Sequence, residues 1–159
     1  FTYGRDKFFQ QCRDVEIDGV IVPDVPFEEK ATIAPEAEKY GVEIISMIAP
    51  TSHQRIQSIA REAQGYIYLV SSLGVTGVRK EITTNLKEIV EKIREVSDKP
   101  IAVGFGISTP EQAKEMAEIS DGAIVGSAIV KLCAQYGKDC VEPVKQYVKE
   151  MAEAVDEAK

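Results

Sequence analysis

Cysteine is scarce in this sequence and histidine scarcer: three and one among 159 residues. Cys12, Cys133 and Cys140 are odd in number and fit no C-x-x-C pattern, so neither a disulfide framework nor a zinc knuckle is expected, only buried or half-buried thiols. His53 falls in the expected first turn of a helix, beside Thr51 and Ser52, with no Cys, Asp or second His at ligand spacing. Metal binding is therefore not expected. An excess of positive charge is also missing. The 19 Lys and Arg are scattered among 26 Asp and Glu, for a formal net charge of −7, whereas neutralising a nucleic-acid backbone needs clustered cations. A small phosphorylated substrate needs only a local site and stays open. No apolar run approaches the roughly 20 residues that span a bilayer, and the longest, such as Gly19 to Val22, are strand-sized. The opening Phe1-Thr2-Tyr3-Gly4-Arg5 has neither methionine nor signal-peptide organisation, which points to a cytoplasmic protein or to a chain cut from a longer one.

What is present suits one folded domain over 1–159: 44% hydrophobic residues, enough for a core, and 28% charged. The pattern alternates. A helix is expected from Asp6 to Val15, with Phe8, Phe9 and Cys12 on one side, then a strand from Gly19 to Val22 stopped by Pro23-Asp24-Val25-Pro26. A helix from Glu28 to Tyr40 closes at Gly41, and a strand runs from Val42 to Ala49. Thr51 with Gln54 fits a capping box for the next helix. Tyr66 to Ser71 is a third strand. Thr84 to Val96 carries Leu86, Ile89, Val90 and Ile93 at helical spacing. Pro100 to Phe105 is a fourth strand, and Thr109-Pro110-Glu111-Gln112 gives an N-cap, a proline at N1 and a glutamine at N3. Gly122 to Val125 is the fifth, followed by a short helix from Ser127 and a last one from Val141 to Val155.

Five β units with continuous apolar strands mean parallel strands covered by helices. An open nucleotide-binding sheet carries its glycine-rich turn after the first strand. Here that place holds Pro-Asp-Val-Pro, and the glycines follow the last three strands, which is the habit of a TIM-type (β/α)8 barrel. A barrel needs eight strands, so the chain is expected to supply about five of them, as the C-terminal part of a single barrel domain. A self-standing open sheet is the alternative.

Three glycine-bearing junctions mark the face where such barrels do chemistry: Gly74-Val75-Thr76-Gly77, Gly104-Phe105-Gly106-Ile107-Ser108 and Gly126-Ser127-Ala128-Ile129. Glycine lets backbone approach a ligand, and a helix start offers unpaired amides to an anion. Gly126 and Ser127, with Gly106 and Gly77 from neighbouring loops, are the candidate phosphate cradle; ordinary turns with a serine cap are the plainer reading. The loop from Ser71 to Ile82, holding Thr76, suits a lid. Phe105 is a candidate pocket residue. Tyr68 and Met47 fall within strands, where pocket lining and core packing are both open. Asp24 stands on the same face as an acid, a base or a partner contact. No second carboxylate accompanies it, so paired acid–base work is not readable.

The segments Asp18 to Pro26, Tyr68 to Gly77, Gly104 to Gln112 and Gly122 to Lys131 closely resemble, in order and spacing, the tryptophan synthase alpha subunit family. That resemblance implies a lyase of tryptophan biosynthesis, cleaving indole-3-glycerol phosphate by a retro-aldol step to indole and glyceraldehyde 3-phosphate. It implies no cofactor in this subunit, with pyridoxal phosphate only in a partner beta subunit that receives the indole. It places the phosphate at Gly77, Gly106, Gly126 and Ser127, the indolylglycerol near Tyr68 and Phe105, lid support at Thr76, and the beta subunit at Asp24 and Pro26. Many family members carry an arginine where this chain has Ser72. The family's catalytic glutamate and aspartate belong to a part preceding Phe1, so the resemblance implies no catalytic carboxylate here and no turnover by these residues alone. A non-catalytic phosphate-binding or structural fragment, and a phosphoribosyl-substrate barrel isomerase, are the other readings of the glycine pattern.

Overall fold

Residues 2–50, 53–71, 79–104 and 106–158 are described by a computed structural model of the chain. Its strands are β1 (Gly19–Val20), β2 (Glu43–Ile48), β3 (Gln64–Val70), β4 (Ile101–Gly104) and β5 (Gly122–Ile124). The α-helices are α1 (Arg5–Asp14), α2 (Ala34–Tyr40), α3 (His53–Arg61), α4 (Arg79–Arg94), α5 (Pro110–Ala117), α6 (Ser127–Tyr136) and α7 (Val141–Asp156). All strand pairs are parallel and the sheet order is the chain order, β1 to β5. A parallel sheet whose neighbours are successive βα units, with flanking helices, is the architecture of part of a (β/α) barrel.

Register divides the sheet into layers. Ser46, Ile67 and Ile101 align across β2, β3 and β4, and Ile48, Leu69 and Val103 form the next such row, with Ala123 beside them on β5. Ile48, Ile67, Leu69, Ile101 and Val103 are each 0% exposed. They share one core with Ile56 and Ile59 of α3, Leu86, Ile89 and Ile93 of α4, and Ala113 and Met116 of α5. Each fully buried Leu, Ile or Val contributes about 1.5–3 kcal/mol from burial, so this helix-covered face dominates stability. The row between, Met47, Tyr68, Ala102 and Gly122, points to the opposite face and is only half-buried. Apolar residues on both faces explain why the strands read as unbroken runs.

Local chemistry moves several expected boundaries. β1 ends at Val20 rather than Val22 because the chain leaves the pairing to enter the Pro23 turn, where Val25 N–H donates to Val22 O at 3.2 Å. The single helix expected from Glu28 to Tyr40 is two pieces, a 3₁₀ turn over Phe27–Thr32 and then α2. Pro35 in the first turn of α2 lacks an N–H and crowds the carbonyl four residues earlier, so an α-helix cannot run through it. Phe9 and Cys12 of α1 are buried as expected, but Phe8 is 41% exposed. The Lys39 ammonium (2.6 Å) and the Tyr40 hydroxyl (3.0 Å) both donate to Asp6, tie α2 to α1, and hold the Asp6 carboxyl below its usual range.

β3 starts two residues earlier than its apolar run, at Gln64. The pairing jumps there, from Ile45↔Gln64 to Ser46↔Ile67, and Gly65 within the jump has φ +57°. A β-carbon at Gly65 would lie 3.0 Å from Ile45 Cδ1 and closer still to the Glu43 carboxylate. Left-handed backbone costs a non-glycine residue about 1–2 kcal/mol, and the crowding adds to it. Gly65→Ala is therefore expected to destabilise the protein by at least about 1 kcal/mol, read as a lower urea midpoint. An unchanged midpoint would mean that the bulge is not as described.

Candidate functional site

The loops that follow β4 and β5, together with α6 and α7, enclose a cleft of about 510 Å³ lined by Tyr68, Gly106, Gly126, Ser127, Lys131 and Tyr147 among others. It opens at the C-terminal ends of the strands, where barrel enzymes place their chemistry. Four residues expected from sequence meet here: Tyr68, Gly106, Gly126 and Ser127. Thr76, Gly77 and Phe105 lie outside the described residues, as does Thr51 of the expected capping box.

The two helices that start at this cleft are finished differently. α5 closes its own N-terminus. Gln112 N–H donates to Thr109 Oγ1 at 3.3 Å, while Gln112 Oε1 accepts from the amides of Ser108 (2.8 Å) and Thr109 (3.2 Å). α6 begins with glycine at its N-cap and no side-chain cap; its first helical bond is Val130 N–H to Gly126 O at 3.1 Å. The amides of Ser127, Ala128 and Ile129 therefore have no acceptor within the helix, and the positive end of the helix dipole faces the cleft. Ser127 is exposed beside them and Lys131 is exposed one turn further along. An anion is the ligand that such a helix start accommodates.

The glycines at the cleft have three different causes. Gly104 makes room: a β-carbon there would lie 2.6 Å from Tyr68 Cε1 and nearer still to Cζ and Oη. Gly106 has φ +78°, a conformation that side chains rarely adopt. Gly126 has φ −122°, and a β-carbon built on it would meet no atom within 4 Å. Neither backbone nor packing requires glycine at Gly126.

Tyr68 stands half-buried on the inner face, and burial raises its hydroxyl pKa above the ordinary tyrosine value. Tyr147 was not singled out from sequence, because a tyrosine in the apolar stripe of α7 reads as core. Its hydroxyl donates to Ser108 O at 2.9 Å and so fixes the loop carrying Gly106 against α7. Lys131 was quoted only as the end of a motif; its place four residues after Ser127, on the same helix face, is the signal that finds it.

Met47 and Pro26 line a different cavity, about 320 Å³, with Phe27, Lys30 and Arg55 around it. Met47 still adjoins the cleft through its register partner Tyr68. Asp24 is exposed in the turn after β1 and lines neither cavity. His53 is exposed, with Nδ1 3.0 Å from Lys92 Nζ. Among the described residues no three His, Cys, Asp or Glu side chains are placed to share a metal, and no helix is long and apolar enough to cross a membrane. Cys133 corrects the expectation of buried thiols: it is exposed, because α6 buries none of its residues.

Comparison with known proteins gives a consistent result. The family model described as "Tryptophan synthase alpha chain" matches residues 1–158. The tryptophan synthase alpha chain of Lacticaseibacillus casei is 46% identical over 100% of this chain and 60% of its own length. That of Thermoanaerobacter sp. (strain X514) is 45% identical over 98% of this chain and 60% of its own. Among solved structures, the tryptophan synthase subunit alpha from Campylobacter jejuni superposes with a TM-score of 0.86 at 34% identity, covering 95% of this chain and 60% of that one. The chain thus spans about 60% of the length of these relatives.

Proposed function

The chain belongs to the tryptophan synthase alpha chain family, and from that premise we propose that its protein cleaves indole-3-glycerol phosphate to indole and glyceraldehyde 3-phosphate. These residues form the C-terminal part of its barrel and hold the phosphate end of the substrate. The observation that carries this reading is the uncapped start of α6 at a glycine that neither conformation nor packing requires. A phosphate dianion there accepts from the free amides of Ser127 and Ala128 and from the Ser127 hydroxyl, with Gly106 on the opposite wall. Such charge-assisted bonds are about twice as strong as neutral ones.

With the phosphate anchored, the rest of the substrate extends along the half-buried inner row. Tyr68 then lies beside the indolylglycerol, Met47 farther along the same row, and Phe105 completes the pocket. Retro-aldol cleavage needs a proton taken from the glycerol hydroxyl and one delivered to the indole ring. The family's glutamate and aspartate are the groups for those transfers, and this chain's residues bind and orient. Thr76 and Gly77 belong to the lid that excludes water. No cofactor takes part in the alpha reaction. Asp24 and Pro26 face a beta subunit, which carries the pyridoxal phosphate and consumes the indole in the cytoplasm. One solved relative, from Pyrococcus furiosus, is described by the mutual activation of a tryptophan synthase a2b2 complex, at 28% identity and a TM-score of 0.82.

Ser127→Ala in the full-length protein tests the assignment through indole release. Loss of one hydrogen bond to a charged group costs about 1.5 kcal/mol or somewhat more, roughly 10-fold, and it is expected in KM, with kcat nearly unchanged. A KM equal to that of the unsubstituted protein would remove Ser127 from the phosphate site.

A further inference from the structure

The two walls of the cleft belong to different βα units, and one side chain joins them. One wall is the turn after β4 that carries Gly106; the other is the start of α6. α6 is supported in turn by α7, which follows it after a 3₁₀ turn over Gly137–Asp139 and packs against it. Tyr147 stands in the first half of α7 and lines the cleft. Its ring packs on the main core and, with Ala123, Val125 and Met151, lines an apolar groove on its other side. The ring is thereby anchored, and the hydroxyl crosses to the other unit to donate to Ser108 O at 2.9 Å. Ser108 is thus held from both sides: its carbonyl by α7, and its N–H by Gln112 Oε1 of α5 at 2.8 Å. A separate tie between α5 and the end of α7, the ion pair of Lys114 with Glu157 at 2.9 Å, involves no residue that lines the cleft.

We propose that Tyr147 is a positioning residue for the substrate's phosphate: its hydroxyl fixes the spacing between the Gly106 turn and the start of α6, so that both walls reach one anion together. The inference rests on the phosphate reading of this cleft and adds to it a residue that acts through Ser108 rather than on the reacting atoms. Without the hydroxyl, the Ser108 carbonyl turns to water for its bond, and the turn is held by α5 alone. Binding must then order the turn against α6. That cost falls on affinity, because a wall already in place is what a preorganised site supplies. The bond-breaking step that follows binding is left as it was. A phenylalanine at this position keeps the ring and its apolar packing, so the hydroxyl can be removed by itself.

Tyr147→Phe in the full-length protein, assayed by indole release beside Ser127→Ala, tests it. Loss of one neutral hydrogen bond is expected to raise KM about fivefold, with kcat nearly unchanged. The inhibition constant of inorganic phosphate is expected to rise by the same factor, while that of indole and the melting temperature stay as they were. Lys114→Met, which removes the tie away from the cleft, is expected to leave KM alone. A KM raised in Ser127→Ala but not in Tyr147→Phe would overturn this proposal and spare the phosphate reading. No rise in either would overturn both. Weakening of phosphate and indole alike with a lower melting temperature, or an equal rise in Lys114→Met, would make Tyr147 a structural contact only and overturn the proposal.

Discussion

Gly126→Val is expected to lower kcat/KM for indole-3-glycerol phosphate by about 100-fold or more while leaving the protein folded. The glycine caps α6, and a β-carbon there meets nothing within 4 Å, so the branched side chain extends into the space assigned to the phosphate. It displaces the anion from amides that have no acceptor in the helix. Two charge-assisted bonds at about 1.5 kcal/mol each already give a factor of this size. The cost to folding is small by comparison. Valine is a poorer N-cap than glycine, a matter of about 1 kcal/mol. Two measurements keep the outcomes apart. Inorganic phosphate is expected to raise the melting temperature of the unsubstituted protein and not that of the variant. Circular dichroism is expected to be the same for both. Activity within threefold of the original would remove the start of α6 from the substrate site.

Leu69→Ala is expected to cost about 3–4 kcal/mol of stability, the middle of the range for opening a cavity at a buried leucine. Leu69 pairs with Ile48 on one side and Val103 on the other, and all three are 0% exposed. Collapse into the hole is opposed from both flanks, because those partners are fixed by strand register and covered by α3 and α4. Tyr68, next in sequence, offers the contrast: it faces the half-buried side, and truncating it is expected to cost less stability. Urea denaturation with an unchanged m-value is the measurement. A loss below about 1 kcal/mol at Leu69 would mean that the helix-covered face is not the main core.

Strand positions were legible because parallel strands need apolar residues on both faces, and Ile44–Ile48 and Ile67–Val70 supply them, with Ser46 the one small polar interruption. The helix stripe Leu86, Ile89, Val90 and Ile93 was legible from its helical spacing, and all four are buried. The capping box at Thr109 and Gln112 stands as read. The two-piece helix before Tyr40 was readable from Pro35 and was missed because the apolar spacing on either side of it is continuous. The jump at Gly65 was hidden, since only pairing with Ile45 and Ser46 reveals that β3 carries extra residues. In the cleft, Gly126, Ser127 and Gly106 were legible as glycine punctuation at strand ends. Tyr147 was not, because its contact with Ser108 spans residues far apart in the chain. That Gly104 is there to accommodate the Tyr68 ring is likewise a tertiary fact.

The sheet order repeats the chain order from β1 to β5, and this bears on how the protein assembles. Within β1 to β5 each strand docks on one made just before it, so none of these four pairings waits for a distant segment to return. Contacts of short sequence separation speed folding. Growth outward from β2 and β3, the pair that shares the buried rows with α3 and α4, is the order such a layout favours. Amide exchange should record it: protection greatest at Ile67 and Leu69, less at Gly122 to Ile124, and least at the two-residue β1.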